Sequence, residues 1–242
     1  SRYAFEGSLS QSVNQVLSVD LGNRLSATII DDNSDESNIL NELGNGFSVT
    51  TDEDQWFNTV FANVAITDVD NSVNPKQGYK FTLHSDVNIG IRNTSQTFYR
   101  FESDYRIFYP IRFSPQIVIA NRVGGAHNFG PFPFYESNTI GGTQNLRGYN
   151  GRRFSGRSPF YNNTEIRIEL LDFYRYLLGG KLGITGFFDT GRVWTDGESS
   201  SLWHKGYGGG VWFNAFDSVL INSTIGLSDE GTLFEIKAGF FF

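Results

Sequence analysis

The sequence predicts an all-β fold, specifically a transmembrane antiparallel β-barrel, and three observations lead there. Aromatic residues make up 16% of the 242 residues and are joined by 27 glycines, a composition that favours strands and tight turns over helices. No run reaches the roughly 18 apolar residues of a membrane-spanning helix, whereas a spanning strand needs only about 9–11 residues of alternating polarity. Long stretches show that alternation. Tyr99, Phe101, Tyr105, Ile107 and Tyr109 oppose Arg100, Glu102, Asp104 and Arg106, and Phe234, Ile236, Ala238, Phe240 and Phe242 oppose Glu235, Lys237 and Gly239.

Alternation alone fits two folds. A soluble sandwich turns its apolar side chains into a core, whereas a membrane barrel turns them out to lipid and keeps its charges in the lumen. Strand length and aromatic placement favour the barrel. The runs reach about 11–13 residues, against about 5–6 in soluble strands, and Tyr, Phe and Trp sit near their ends as interfacial girdles do.

Taken in order, Tyr3 to Leu9 and Gln15 to Ile30 read as two or three strands broken near Asn14 and Gly22. Asp31 to Glu36 and Asp52-Glu53-Asp54 are solvated acidic turns. A calcium site at the first lacks the glycine turn and closing glutamate of an EF-hand loop. Phe57 to Asp68 is a strand, Asp70 to Gly78 a turn rich in punctuating residues, and Tyr79 to Ile91 the next strand. After Tyr99 to Tyr109, Pro110 and Pro115 bracket a turn, Gln116 to Val123 is a strand, and Gly124 to Asn138 is loop. Asn163 to Leu170, Leu182 to Trp194, Tyr207 to Asn214, Val219 to Leu227 and Thr232 to Phe242 complete the strands.

The net charge of -7 excludes nucleic acid as a partner, because phosphate binding needs a basic surface. The lack of Cys removes disulfides and thiol chemistry, and the lack of Met leads us to expect a processed or truncated piece of a longer precursor. His84, His127 and His204 have no metal-ligand spacing and read as polar-face or loop residues. Gly206 to Gly210 lacks the Lys-Ser/Thr of a phosphate loop, so these glycines mark kinks or close packing. Without a Gly-x-Ser-x-Gly elbow, no catalytic residue and no cofactor is assigned.

The strongest local signal is an arginine between glycines in a long polar loop, Ile140-Gly141-Gly142-Thr143-Gln144-Asn145-Leu146-Arg147-Gly148-Tyr149. A guanidinium so placed needs a carboxylate, because burying it alone is prohibitively costly. Glu165, Glu169 and Asp189 are the nearest in sequence. Glu165, Arg167 and Glu169 share a polar face opposite Ile166, Ile168 and Leu170, while Asp189 shares the parity of Thr185 and Phe187.

The order Leu146-Arg147-Gly148-Tyr149, then Glu165 and Arg167, then Phe188-Asp189-Thr190-Gly191-Arg192-Val193-Trp194, then a terminal aromatic strand, resembles the BamA/TamA family of outer-membrane proteins. Asn74 to Gly78 and Pro131 to Tyr135 add to the likeness, which covers Phe57 to Phe242. The resemblance implies a barrel in the outer membrane of a Gram-negative bacterium whose sixth extracellular loop folds into the lumen, with Arg147 against Asp189 and Glu165. It implies a role in inserting or translocating proteins, with outer-membrane lipids, nascent outer-membrane or secreted polypeptides, and a periplasmic domain or accessory lipoproteins as partners. Relatives fused to a lipase-like or phosphoesterase-like domain supply an alternative, a barrel that anchors or exports an enzyme, and a passive pore is a third. Lys237, Gly239, Phe240 and Phe242 resemble the C-terminal insertion signal of barrel proteins. Residues 1–242 then form one barrel domain with no POTRA domain visible. The family barrel has about sixteen strands, and at roughly 20 residues per strand and connection this length supplies about twelve.

Overall fold

A computed structural model describes residues 1–29, 54–111, 114–175, 178–197 and 201–242. Asp31 to Glu36 and the first two residues of the Asp52-Glu53-Asp54 turn lie outside the described residues.

Thirteen strands follow in chain order: β1 Arg2–Ser12, β2 Leu17–Thr28, β3 Gln55–Val69, β4 Gly78–Gly90, β5 Phe98–Ile111, β6 Ile117–Phe129, β7 Asn138–Ile140, β8 Phe154–Gly156, β9 Ser158–Arg175, β10 Leu178–Trp194, β11 His204–Ala215, β12 Val219–Ser228 and β13 Gly231–Ala238. Eleven make one sheet in the order β1-β2-β3-β4-β5-β6-β9-β10-β11-β12-β13, while β7 and β8 pair with each other inside the long connection from β6 to β9. Every named pairing is antiparallel. The short turns, residues 13–16, 70–77 and 216–218, lie at one end of the sheet, and the long connection 130–157 at the other.

Side-chain burial settles the choice that alternation left open. On β5 the charged face is the more covered one and the apolar face is bare: Asp104 is 5% exposed and Arg100 and Arg106 are half-buried, with Glu102 exposed, whereas Tyr99, Phe101, Tyr105, Ile107 and Tyr109 are all exposed, Tyr109 at 65%. The same inversion holds on β10, with Thr185, Phe187 and Asp189 buried and Ile184 and Phe188 exposed. Water would not leave such faces bare, and lipid favours them. Exposed Trp56, Tyr99, Phe129 and Trp194 stand near the long-connection end, and Tyr79, Tyr109 and Phe216 near the short-turn end, as interfacial girdles do.

Turn chemistry fixes the short ends. In the turn between β3 and β4, Asn71 Oδ1 accepts from the backbone of Val73 and Asn74 at 2.8 and 2.9 Å, and Asp70 Oδ1 from that of Lys76 and Gln77 at 2.9 and 3.0 Å. Lys76 then reaches Glu169 of β9 at 2.9 Å, tying this turn to a strand three places along the sheet from β4.

Three expectations are corrected, and two share a cause. Strand β2 runs through Gly22 without a break, and β6 continues past Val123 to Phe129. At each glycine a Cβ would stand 2.3 Å from an aromatic ring of the neighbouring strand, Phe61 beside Gly22 and Tyr161 beside Gly124. These glycines are seats for cross-strand rings and keep the strand conformation. The third correction concerns the last strand, which stops at Ala238 rather than running to Phe242. Gly239 takes φ +90, the chain turns inward, and Phe240, Phe241 and Phe242 are each buried to 7% exposure or less. Phe240 packs with Trp212 and Leu220, and the other two with Phe108 and Ala120. That burial favours the inward turn over the lipid-facing alternation that the sequence pattern suggests.

Candidate functional site: a buried ion chain under the long connection

The connection between β6 and β9 folds back over the inner face of the sheet. Asn145 closes its tip, with Oδ1 accepting from the Gly141 amide at 2.8 Å, while Asn163 of β9 donates to the Asn145 carbonyl at 2.9 Å. Leu146 and Tyr149 pack with Ile140 and Tyr161 and are almost wholly buried. These contacts hold Arg147 between the two strands that carry its partners.

Arg147 is 1% exposed, and each of its three guanidinium nitrogens donates a hydrogen bond. Its Nε and Nη2 donate to the two oxygens of Asp189 at 2.8 and 2.9 Å, a bidentate fork, and its Nη1 donates to Glu165 Oε2 at 2.9 Å. The backbone amide of Arg147 adds a bond to Asp189 at 3.1 Å. The other oxygen of Glu165 accepts from Arg167 Nε at 2.9 Å, and Arg167 Nη2 donates to the Phe242 carbonyl, also at 2.9 Å. The result is an alternating chain, Asp189, Arg147, Glu165, Arg167, whose formal charges cancel. A neutral set of alternating charges is the form in which charges tolerate burial, although Arg167 Nη1 is buried without a hydrogen-bond partner. Desolvation works against the Arg147 charge, yet the hydrogen bonds to Asp189 and the nearby Glu165 hold the guanidinium above its ordinary range.

Aromatic rings close the chain from above and below. The Arg147 guanidinium carbon lies 3.6 Å from the Phe187 ring centre and 4.0 Å from that of Phe241, and Arg167 lies 3.7 Å from Phe240. Such desolvated cation–π contacts are worth about 2 kcal/mol. The inward tail is therefore one wall of the site.

The backbone of the loop rests on β11 and β12. A Cβ on Gly206 would meet the Arg147 carbonyl oxygen at 1.9 Å, and one on Gly226 the Gly148 amide at 2.7 Å. Gly148 itself takes φ +90, and a Cβ there would stand 2.9 Å from the Leu227 carbonyl oxygen, so both its conformation and its surroundings exclude a side chain. Two groups of the turn between β12 and β13 clasp the loop: Ser228 Oγ donates to the Gly148 carbonyl at 2.6 Å, and the Tyr149 hydroxyl donates to Asp229 at 2.5 Å. Burial and the Asp229 carboxylate together raise the Tyr149 pKa.

Of the residues singled out in the sequence, Leu146, Arg147, Gly148, Tyr149, Glu165, Asp189 and Gly191 come together here. Gly191 lies under Ile140 of the loop. Phe188 does not join them and faces outward at 47% exposure. Phe240 joins from the tail and Phe242 through its carbonyl, whereas Lys237 stands apart with Nζ 3.4 Å from the carbonyls of Thr143 and Phe241. Sequence reasoning missed Phe187 and Phe241 as plates, Gly206 and Gly226 as a seat, and Ser228 and Asp229 as a clasp. The histidines are dispersed: His84 bonds to Asn63 and Asp86, His127 to Ser158, and His204 stacks on Phe154.

Residues 1–215 match the Omp85 superfamily domain. The chain belongs to the Omp85 superfamily. Its fold is similar to that of BamA from Haemophilus ducreyi lacking POTRA domains 1–3, with TM-score 0.71, 14% identity, and coverage of 98% of this chain and 54% of that one. The chain thus spans about half the length of the structure it matches. No curated protein matches. The architecture is the BamA/TamA-type Omp85 barrel, an antiparallel transmembrane barrel, and the folded-back connection lies in its lumen.

Proposed function

We propose that this chain is the barrel of an outer-membrane machine that inserts proteins into, or moves them across, the outer membrane of a Gram-negative bacterium. Membership of the Omp85 superfamily over residues 1–215 carries the reading. The geometry supports it in two ways. The bare apolar belt suits outer-membrane lipid, and a loop locked into the lumen by a bidentate arginine suits a barrel that does not serve as an open sieve for solutes. Nascent outer-membrane or secreted polypeptides are the proposed clients, with a periplasmic domain or accessory lipoproteins delivering them.

The test is insertion of an unfolded outer-membrane barrel protein into vesicles containing the purified chain, read as appearance of its heat-modifiable form. Faster insertion than into empty vesicles is expected, with the gain lost in Arg147→Ala. Insertion no faster than into empty vesicles would refute the reading.

A further inference from the structure

The outward faces of β4 and β5 are apolar, with Leu83, Val87, Phe101 and Tyr105, but from β6 to β11 the outer wall carries a polar stripe. Asn121 of β6, Asn162 and Thr164 of β9, Thr190 of β10 and Lys205 of β11 share the parity of the exposed Phe129, Ile166, Phe188 and Tyr207, so they face the membrane. Register sets them side by side. Asn162 pairs with Thr190 and Thr190 with Lys205, while Thr164 pairs with Asn121 in the next outward row. Asn121 Nδ2 donates to Thr164 Oγ1 at 2.9 Å, to the Asn163 carbonyl at 3.1 Å and to Asn162 Oδ1 at 3.2 Å. Among the described residues, the Asn162 amide nitrogen, the Asn121 amide oxygen and the Thr190 hydroxyl form no hydrogen bond. Polar groups left so against hydrocarbon are costly and call for a partner.

Toward the long-connection end the same face turns cationic and aromatic. Arg192 pairs across strands with Phe160, and its guanidinium carbon lies 4.8 Å from the Trp194 ring centre. Trp203 stands edge-on to Phe160 and Trp194 at 5.9 and 6.1 Å, which makes a cluster of three outward rings. Arg192 lies two residues beyond the Thr190–Lys205 pair and is therefore the diagonal neighbour of Lys205, roughly 7–8 Å away. Lys205 is exposed and, among the described residues, forms no ion pair, whereas the nearby acid Asp196 is held by Arg157. Two adjacent cations thus stand at the membrane edge of a chain whose net charge is -7. From Arg192 to the row of Thr164 is roughly 13 Å along the strand and about 10 Å in depth, for a strand tilted about 40°.

We infer that this face is a seat for a phosphorylated glycolipid of the outer leaflet. A phosphate lies between Arg192 and Lys205, the sugar rests against the three rings, and amide-linked, hydroxylated acyl chains descend along the stripe. The long-connection end is the extracellular one by the usual asymmetry of such barrels, which puts the cations at the height of that leaflet's phosphates. Amide and hydroxyl groups below the phosphate give the Asn162 nitrogen an acceptor and the Asn121 oxygen a donor. A diacyl phospholipid has only ester acceptors at that depth and leaves the Asn121 oxygen unmet. A second copy of the chain docked here would bring the same cations face to face. The seat rests on outer-membrane placement of the barrel and not on insertion activity.

Native mass spectrometry of the purified full chain in mild detergent, with lipid A as the probe, tests this. Lipid A should bind at roughly tenfold lower concentration than phosphatidylglycerol or dephosphorylated lipid A. Arg192→Gln with Lys205→Gln should weaken lipid A binding about 30-fold. Asn162→Leu with Thr164→Val should erase the preference over phosphatidylglycerol, with heat-modifiable mobility checking that each variant folds. Should the variants fail to fold, the preference of the unaltered protein still decides. Equal retention of lipid A and phosphatidylglycerol, displacement of lipid A by inorganic pyrophosphate, or a lipid-free dimer of the chain would overturn the proposal. A failed insertion assay leaves the lipid preference in place, so the two readings fall separately.

Discussion

The β9–β10 wall and the β1–β2 wall carry the same alternating pattern and end in opposite states. On β9 and β10 the inner charges are sealed: Glu165 and Asp189 have no exposed surface and Arg167 has 2%. On β1 every residue is exposed, on both faces, and its cross-strand ion pair, Glu6 with Arg24 at 2.7 Å, leaves 47% of the glutamate side chain in solvent. Alternation thus decides only which side chains point inward. Whether those charges become a dry, energetically coupled set depends on what covers them, and among the described residues a loop from elsewhere in the chain covers one wall and not the other.

The comparison can be broken by substitution, and the largest effect is expected from a residue with no charge at all. Gly206→Val should unseat the loop, because its side chain would collide with the Arg147 backbone and not with a side chain free to move. Hydrogen exchange of residues 140–151 should then approach that of an open loop, while mobility on unheated gels still reports a barrel. Arg147→Ala comes next. It leaves two buried carboxylates short of a partner and should cost about 3–5 kcal/mol locally, read as earlier loss of protection in the loop than in the strands. Tyr149→Phe removes one hydrogen bond to a charged group and should cost about 1.5–3 kcal/mol, seen as a proportionate rise in exchange at the loop alone. Glu6→Gln should change stability by no more than ~1 kcal/mol, less in salt, because the pair is solvated. A cost for Glu6→Gln equal to that of Arg147→Ala in urea titration would abolish the distinction between the two walls.

Much of the architecture was legible in the residues. The two faces of β5 follow from period two, with strand length and aromatic placement favouring charges inside; the requirement for carboxylates near Arg147 follows from the cost of a lone buried guanidinium, which left Glu165, Glu169 and Asp189 open until the family resemblance singled out Asp189 and Glu165. The rest depended on approaches that no local pattern encodes. Gly22 and Gly124 looked like breaks because the rings they accommodate, Phe61 and Tyr161, are 39 and 37 residues away. The tail looked like more strand because Phe240 and Phe242 keep the alternation while Gly239 reverses the chain between Ala238 and Phe240. Phe187 read as one aromatic among many until Arg147 was found lying on it.

The glycines beneath the loop have a consequence for where its resting place is written. Gly206 and Gly226 contribute no atoms beyond backbone, so the docking seat is a mould, recorded in what β11 and β12 leave out. A graft of residues 140–151 into another barrel would carry its arginine along but leave the mould behind, and would be expected to float above an ordinary pair of strands. Carving two glycines into the recipient, at the positions facing the arginine carbonyl and the next amide, is the smaller and more decisive half of such a transplant.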